Sequence, residues 1–221
     1  MNKLVIIVCF FVISFSNFAT IPTIPTACFE YNDYCSKSRI KRMYIEGKLE
    51  SVIRINIFGI INVDEIEGID YLVSKFHNFD SWKGTGNVKI SKSVKIGEFI
   101  LDDRKVHRQY IHYYIKGPAR KFIKARAVGD YWPTTLEGDA LYSGKFVHHN
   151  KGVFRIQGED DLHGSEGYRY NSGEYHLRQE DNNIYLYLSA DVIPKLPILP
   201  LTAQFIEAGY LSIFRGIYFS D

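Results

Sequence analysis

The alternation of apolar and polar positions is most regular in the C-terminal quarter of the chain. Residues 173–181 and 183–191 alternate as two strands joined by a polar turn, and three prolines then keep residues 192–200 extended. From Pro200 the period becomes that of an amphipathic helix. Its apolar face carries Ile206, Tyr210, Ile213 and Ile217, with Phe205 and Gly209 beside them, and the opposite arc carries Gln204, Glu207 and Arg215. The pattern predicts a hairpin followed by a helix that lies on a sheet.

Two residues of this helix carry more specific expectations. Pro200 suits the first turn, where its missing N–H removes no helical hydrogen bond. Gly209 lies on the apolar face, where a glycine weakens a helix by roughly 1 kcal/mol relative to alanine. We therefore expect the helix to approach the sheet closely at Gly209.

A long first strand and a helix are predicted upstream. Residues 51–62 are rich in β-branched side chains, and Ile53, Ile55 and Ile57 share one face. After residue 65 the apolar positions recur at helical spacing as far as Phe76, which predicts a helix that ends near residues 77–79.

Strand follows strand between this helix and the C-terminal hairpin. The predicted strands are 87–94, 97–103, 105–116, 120–132, 139–149 and 152–159, with turns at Asp102-Asp103, Gly117-Pro118, Gly129-Asp130 and Asn150 to Gly152. Short turns between successive strands predict an antiparallel meander. The fold class is therefore α+β, with a long curved antiparallel sheet, a short helix after the first strand and a C-terminal amphipathic helix covered by the sheet.

The alternation also predicts which side of each strand faces the C-terminal helix. Odd positions carry fewer charges than even ones in residues 105–116 and 121–128, and the aliphatic residues of 183–190 share one face. We expect these faces and the helix to enclose a cavity for an apolar ligand. The alternative is that the same residues fill an ordinary core. The predicted cavity residues are His107, Gln109, Ile111, Tyr113, Ile123, Leu186, Leu188, Phe205, Gly209 and Ile213.

The N-terminal residues form a separate segment. One lysine precedes an apolar run from Leu4 to Phe15, shorter than the roughly 20 residues of a membrane-spanning helix, and a small residue follows at Ala19. This pattern predicts a cleaved signal peptide over residues 1–19 and a secreted or periplasmic protein, with an uncleaved anchor as the alternative. Residues 20–42 are interpreted as a leader, and residues 43–221 as one domain.

The use of cysteine agrees with export. Cys9 lies inside the apolar run, so Cys28 and Cys35 remain after cleavage. In an oxidising compartment a disulfide between these two is the expected outcome. Two isolated thiols do not favour zinc, because a closed zinc site needs four ligands.

Charge and motifs argue against several functions. The net charge of +2 predicts no nucleic-acid partner. The basic cluster Lys37, Arg39, Lys41 and Arg42 fits a transient contact with lipid headgroups or with an acidic partner, but the preferred interpretation is a solvated approach to the first strand. No HExxH, G-x-S-x-G or phosphate-loop motif is present, so we predict no metal and no cofactor.

The order of elements resembles a known superfamily. The features are the aromatic-Trp pair Phe79-Asp80-Ser81-Trp82 after the first helix, the meander, the Ser172-to-Leu177 strand, and the proline elbow 193–200 before the last helix. Together they resemble the START-like helix-grip superfamily, also known as SRPBCC, in its polyketide cyclase/dehydrase and lipid-transport branch. The likeness covers residues 50–220.

The resemblance implies a binding or carrier protein for a hydrophobic ligand such as a lipid or an isoprenoid, and we expect a monomer. One alternative is an enzyme of the cyclase/dehydrase or hydrolase kind that uses a buried His or Tyr as acid or base. Another is a surface-interaction protein with a filled core.

Overall fold

The computed structural model describes residues 33–63, 68–116, 122–136 and 141–219, except the side chains at positions 122, 123, 135, 136 and 141. The described residues form two α-helices and ten strands in the α+β layout that the sequence predicted, with one helix after β2 and the other after β10. In chain order they are β1 (Tyr34–Ile45), β2 (Lys48–Asn62), α1 (Ile69–His77), β3 (Val88–Leu101), β4 (Arg104–Lys116), β5 (Phe122–Leu136), β6 (Leu141–His148), β7 (Val153–Phe154), β8 (Leu162–His163), β9 (Tyr168–Glu180), β10 (Asn183–Pro194) and α2 (Pro200–Tyr218).

Eight strands form one antiparallel sheet in the order β1-β2-β10-β9-β6-β5-β4-β3. Tight turns join three of its hairpins, and each turn contains a residue with positive φ: Glu46 and Gly47, Asp102 and Asp103, and Asp181. Short turns of this backbone type match the right-handed twist of paired strands. β2 pairs with β10, so the N-terminal hairpin β1-β2 extends the sheet beyond the last strand of the meander.

Both helices cover the same face of the sheet, which we call the inner face. Ile69, Leu72 and Phe76 of α1 and Ile206, Phe214 and Ile217 of α2 belong to one core cluster with Ile53, Ile55 and Ile57 of β2. The predicted inward faces are confirmed: Ile111 and Tyr113 of β4, Ala125 and Ala127 of β5, and Ile184 and Leu186 of β10 all join this cluster. The helix packing therefore follows directly from the strand alternation.

The opposite face of β4 and β5 has a smaller core of its own. Tyr110 and Val128 pack there with Ile156 and Leu162. The last two belong to the excursion between β6 and β9, which contains the two-residue strands β7 and β8. The even-numbered positions of β4 are thus partly buried as well, beneath this excursion.

The N-terminal edge of the sheet differs from the prediction. Residues 34–42 were interpreted as leader, but Tyr34–Ile45 is strand β1, paired with β2 along its whole length. Its polar composition reflects an edge strand: Ser36 and Ser38 face α2, whereas Lys37 and Arg39 are exposed. Residues 1–32, with the predicted signal peptide and Cys28, lie outside the described residues, so the signal peptide and the disulfide stay predictions.

Three strand boundaries were also wrong. Residues 88–101 form one strand, β3, whose bulges the sequence analysis interpreted as a break. Gly129-Asp130 lies inside β5 and is not a turn, because Arg108 and His149 bind the Asp130 carboxylate and make it compatible with a strand. The predicted strand 152–159 is reduced to the short β7.

The expected close approach at Gly209 is wrong. A Cβ at Gly209 would lie 3.9 Å from Ile115 Cδ1 and from Val88 Cγ2, which are ordinary contacts. The tight position is Gly216, where a Cβ would overlap the carbonyl oxygen of Lys83. Glu207 was also misplaced, because its carboxylate accepts hydrogen bonds from Ser36 Oγ (2.7 Å) and Ser38 Oγ of the edge strand.

Candidate functional site

A mainly apolar cavity of about 60 Å³ lies between the inner face of the sheet and α2. Aromatic rings form most of its wall, and a few polar groups interrupt them. Its lining residues are Phe76, Trp82, Ile111, Tyr113, Tyr131, Phe146, His148, Tyr168, Asn171, Leu188, Tyr210, Ile213, Phe214, Ile217 and Tyr218.

The end of the cavity near α1 is held by stacked aromatic rings. Trp82 Nε1 donates a hydrogen bond to the Phe76 carbonyl oxygen (3.0 Å), which fixes the turn after α1. Tyr131 packs edge-on against Trp82 with ring centroids 5.9 Å apart, and Phe146 stacks on Tyr131 at 5.7 Å. Such pairs add stability beyond the area that they bury, so they stabilise this wall.

Four polar side chains form a row of hydrogen bonds along the cavity wall, which we call the polar row: Tyr131, His148, Asn171 and Tyr210. Tyr131 Oη lies 3.1 Å from His148 Nε2, and His148 Nδ1 lies 3.0 Å from Asn171 Nδ2. Tyr210 Oη lies 2.6 Å from the Asn171 side-chain amide. The row joins β5, β6, β9 and α2, so it connects the sheet to the helix that covers the cavity.

Burial keeps the polar row uncharged. Burial lowers the pKa of His148 to about 4, so its imidazole is neutral at pH 7. Burial likewise raises the pKa of the Tyr131 hydroxyl and of the Tyr210 hydroxyl above the ordinary value. The row is therefore a set of neutral hydrogen-bond donors and acceptors.

A second tyrosine pair lies in the same wall. Burial raises the pKa of Tyr113 well above its usual range, and a hydrogen bond to Tyr168 raises it further. Burial also raises the pKa of Tyr168, while the same hydrogen bond lowers it in part. The hydroxyls of Tyr113 and Tyr168 are therefore partners in the cavity wall.

Apart from His107 and Gln109, the predicted cavity residues fall into three groups. Ile111, Tyr113, Leu188 and Ile213 line the cavity. Leu186, Phe205 and Gly209 pack in the surrounding core or beside it, with Gly209 facing β3 and β4. Ile123 lies on β5 opposite Ile115, but its side chain is outside the described part of the chain.

His107 and Gln109, predicted as polar groups of the cavity, do not line it. His107 Nδ1 lies 3.2 Å from a Glu98 carboxylate oxygen, and its ring packs on that of His77 at the end of α1 (5.0 Å). Gln109 Nε2 donates to Ser93 Oγ at 2.7 Å. Both residues precede the cavity-lining segment of β4, so alternation places them on the correct face but not beneath α2.

His148 and Asn171 were not predicted as cavity residues. A signal for His148 was present, because Tyr142, Gly144, Phe146 and His148 occupy alternate positions of one predicted strand and therefore one face. Asn171 precedes the predicted start of its strand by two positions, so its face was not assigned. Their contact depends on the pairing of β6 with β9, which spans an excursion that sequence patterns do not resolve.

Two further observations concern the described residues only. They contain no group of three or more His, Cys, Asp or Glu side chains arranged to hold a metal ion. None of the helices in these segments combines the length and the apolar character needed to cross a bilayer.

Comparisons with known proteins identify the fold. No protein-family model and no curated protein matches the sequence. The crystal structure of the STAR-related lipid transfer protein (fragment 25–204) from Xanthomonas axonopodis superposes with a TM-score of 0.52 at 9% identity, over 81% of this chain and 96% of that chain. A START superfamily protein from Mycobacterium smegmatis superposes with a TM-score of 0.44 at 8% identity, over 74% and 92% of the two chains. The first likeness shows that this chain has a START-like helix-grip fold.

Proposed function

We propose that this protein binds a hydrophobic small molecule, of the lipid or isoprenoid kind, in the cavity between the sheet and α2. The observation that carries the proposal is the cavity itself, which is lined mainly by aromatic and aliphatic side chains with a few polar groups. Ligand sites in proteins commonly have this composition. The START-like fold supports the proposal, since a solved protein of this fold is described as a lipid transfer protein.

The cavity is smaller than the usual site for a drug-sized ligand. Sites for drug-sized ligands measure roughly 300–1,000 Å³, whereas this cavity measures about 60 Å³. A lipid-sized ligand therefore requires part of α2 to move away from the sheet. Binding in this protein is coupled to a displacement of the helix.

The contacts of α2 indicate which part moves. The C-terminal half is fixed, because Gly216 lies against the Lys83 carbonyl and Thr85 Oγ1 donates to the Ser212 carbonyl at 3.0 Å. The first turn of α2 follows the proline elbow, where Leu199 and Leu201 are exposed. It also precedes Glu207, whose carboxylate ties the helix to Ser36 and Ser38 of β1. We infer that the ligand enters beneath the first turn of α2.

The pKa values of the cavity side chains favour binding over catalysis. A general acid or base works best with a pKa near the operating pH. Burial holds the pKa of His148 at about 4 and raises that of the Tyr131 hydroxyl, so neither group is poised near 7. Of the His and Tyr side chains predicted for the cavity, Tyr113 lines it, but burial raises its pKa well above the usual range, and His107 does not line it.

We also propose that the protein is exported. A signal peptide at residues 1–19 and a disulfide between Cys28 and Cys35 would place the carrier in the periplasm or outside the cell. The monomeric state and a transient contact with a membrane surface stay predictions.

Uptake of the uncharged fluorophore Nile red tests the cavity as the binding site. We expect saturable binding at one molecule per chain, and at least about tenfold weaker binding in Ile213→Trp, because the indole fills the cavity from α2. Leu201→Trp is the matched control: it adds the same ring to the same helix at a side chain that is 65% exposed, so its affinity should equal that of the wild type. Equal affinity in all three proteins, or no saturable uptake, would contradict the proposal.

A further inference from the structure

The polar row is a continuous line of hydrogen bonds. Its three hydrogen bonds join four groups in a line, from Tyr210 through Asn171 and His148 to Tyr131. A neutral imidazole has one donor nitrogen and one acceptor nitrogen. Each group in the row therefore donates to the neighbour on one side and accepts from the neighbour on the other, and this order is the same along the whole row.

Either direction leaves one hydroxyl hydrogen unused. If Tyr210 donates to Asn171, the amide donates to His148 Nδ1 and His148 Nε2–H donates to Tyr131, so the Tyr131 hydroxyl hydrogen is spare. If the amide is reversed, Tyr131 donates to His148, the imidazole to Asn171 and the amide to Tyr210, and the spare hydrogen belongs to Tyr210. Both hydroxyls belong to residues that line the cavity, and no further acceptor for either is found among the described residues.

The described lining of the cavity has no charged side chain that would balance the charge of a ligand. No Lys, Arg, Asp or Glu is among its described lining residues. The one lining histidine is neutral at pH 7, since burial lowers its pKa to about 4. A buried carboxylate or ammonium group without a partner is strongly unfavourable, so a charged ligand is disfavoured.

We propose that the cavity selects an uncharged apolar ligand with an oxygen acceptor, such as a ketone, ester, ether or alcohol, and that the spare hydroxyl hydrogen of the polar row binds this oxygen. This inference rests on the proposed function, because it specifies the ligand class of the same site. A ligand of this kind satisfies the donor that the row leaves unused. A pure hydrocarbon leaves it unpaired, and an acid brings a charge that the wall does not balance.

Three probes of similar size test the ligand class: ethylbenzene, acetophenone and benzoate. Their affinities for the full chain are measured by calorimetry at pH 7 in the wild type, Tyr131→Phe, Tyr210→Phe and the double variant. We expect the double variant to lose about tenfold in affinity for acetophenone, because the buried carbonyl loses its donor, and to keep its affinity for ethylbenzene within about twofold. The single variant that gives the same loss identifies the direction of the row. Benzoate should bind the wild type at least about tenfold more weakly than acetophenone.

A control and a second measurement make the test independent of folding effects. Tyr142→Phe removes a hydroxyl that lies 2.6 Å from His77 Nε2 and does not line the cavity, so acetophenone affinity should not change. The carbonyl ¹³C shift of acetophenone bound to the wild type should lie downfield of its value in hexane, as for a hydrogen-bonded carbonyl. If acetophenone and ethylbenzene respond equally in every variant, or benzoate binds as tightly as acetophenone, the inference is wrong while the binding function stands. If none of the probes binds, both fail.

Discussion

Gly216→Ala is expected to destabilise the protein by about 3 kcal/mol or more, whereas Gly209→Ala should be neutral or stabilise it by up to about 1 kcal/mol. Both glycines lie on the buried side of α2. At Gly216 a methyl group would overlap the Lys83 carbonyl oxygen, which is backbone and cannot rotate away. At Gly209 the nearest atoms are 3.9 Å from the added Cβ, so alanine fits and improves the helix propensity.

Urea unfolding of the two variants at pH 7.5 measures this difference through the transition midpoint at constant slope. The pair is internally controlled, because the same substitution is made twice on one helix. Similar midpoints for the two variants would contradict the assignment of Gly216 as the point where α2 is fixed to the turn after α1. Fluorophore uptake by Gly209→Ala should remain that of the wild type.

Acidification is expected to destabilise the protein between pH 7.5 and pH 5. Burial lowers the pKa of His77 and of His148 to about 4, against about 6.5 in the unfolded chain. Between these values the unfolded chain binds more protons, so stability falls as the pH falls. At pH 5 each histidine removes about 2 kcal/mol. Burial lowers the pKa of His107, His112 and His176 as well, and these contribute in the same direction.

Unfolding free energies of His77→Gln and His148→Gln at pH 7.5 and pH 5 test this prediction. Each variant should show a loss on acidification that is about 2 kcal/mol smaller than that of the wild type. His163→Gln serves as the control, because that side chain is exposed. Lowered pKa values at Asp130 and Glu166 give a further loss only below about pH 4.5, outside this window. An unchanged pH dependence in both variants would show that the two histidines are not buried as described.

The sequence predicted the elements that bury one clear face. The alternation in β4, β5 and β10 placed Ile111, Ala125 and Leu186 on the inner face, and the helical period placed Ile206 and Ile217 against it. In these segments the hydrophobic effect alone decides the orientation, because a shift of one residue would expose the whole apolar set. The order of elements was then sufficient to indicate the helix-grip fold.

The edge of the sheet could not be predicted in this way. β1 is an edge strand whose polar positions have two unrelated partners. Ser36 and Ser38 bind Glu207 of α2, whereas Lys41 lies 3.1 Å from Asp191 of β10 on the other face. Both partners are more than a hundred residues away in sequence, so local patterning showed only a basic, polar stretch. Charged edge strands of this kind protect a sheet from further pairing.

The polar part of the cavity was predicted in the wrong place for a similar reason. Alternation gives the face of a residue but not its position along the face. His107 and Gln109 are on the inner face near α1 and Ser93, whereas His148 and Asn171 are beneath α2. Which polar residues meet in the cavity depends on the pairing of β6 with β5 and β9 and on where α2 crosses the sheet. Those are long-range packing results that a single sequence does not display.

Methyl NMR with a bound apolar probe tests the cavity most directly. The isoleucine δ1 methyl groups are labelled with ¹³C, and nuclear Overhauser effects from ethylbenzene are recorded on the full chain. We expect effects at Ile111, Ile213 and Ile217, which line the cavity, and none at Ile53 or Ile55, which lie in the core away from it. Effects confined to the exposed Ile40 and Ile100, or no effects at all, would contradict a ligand site between the sheet and α2.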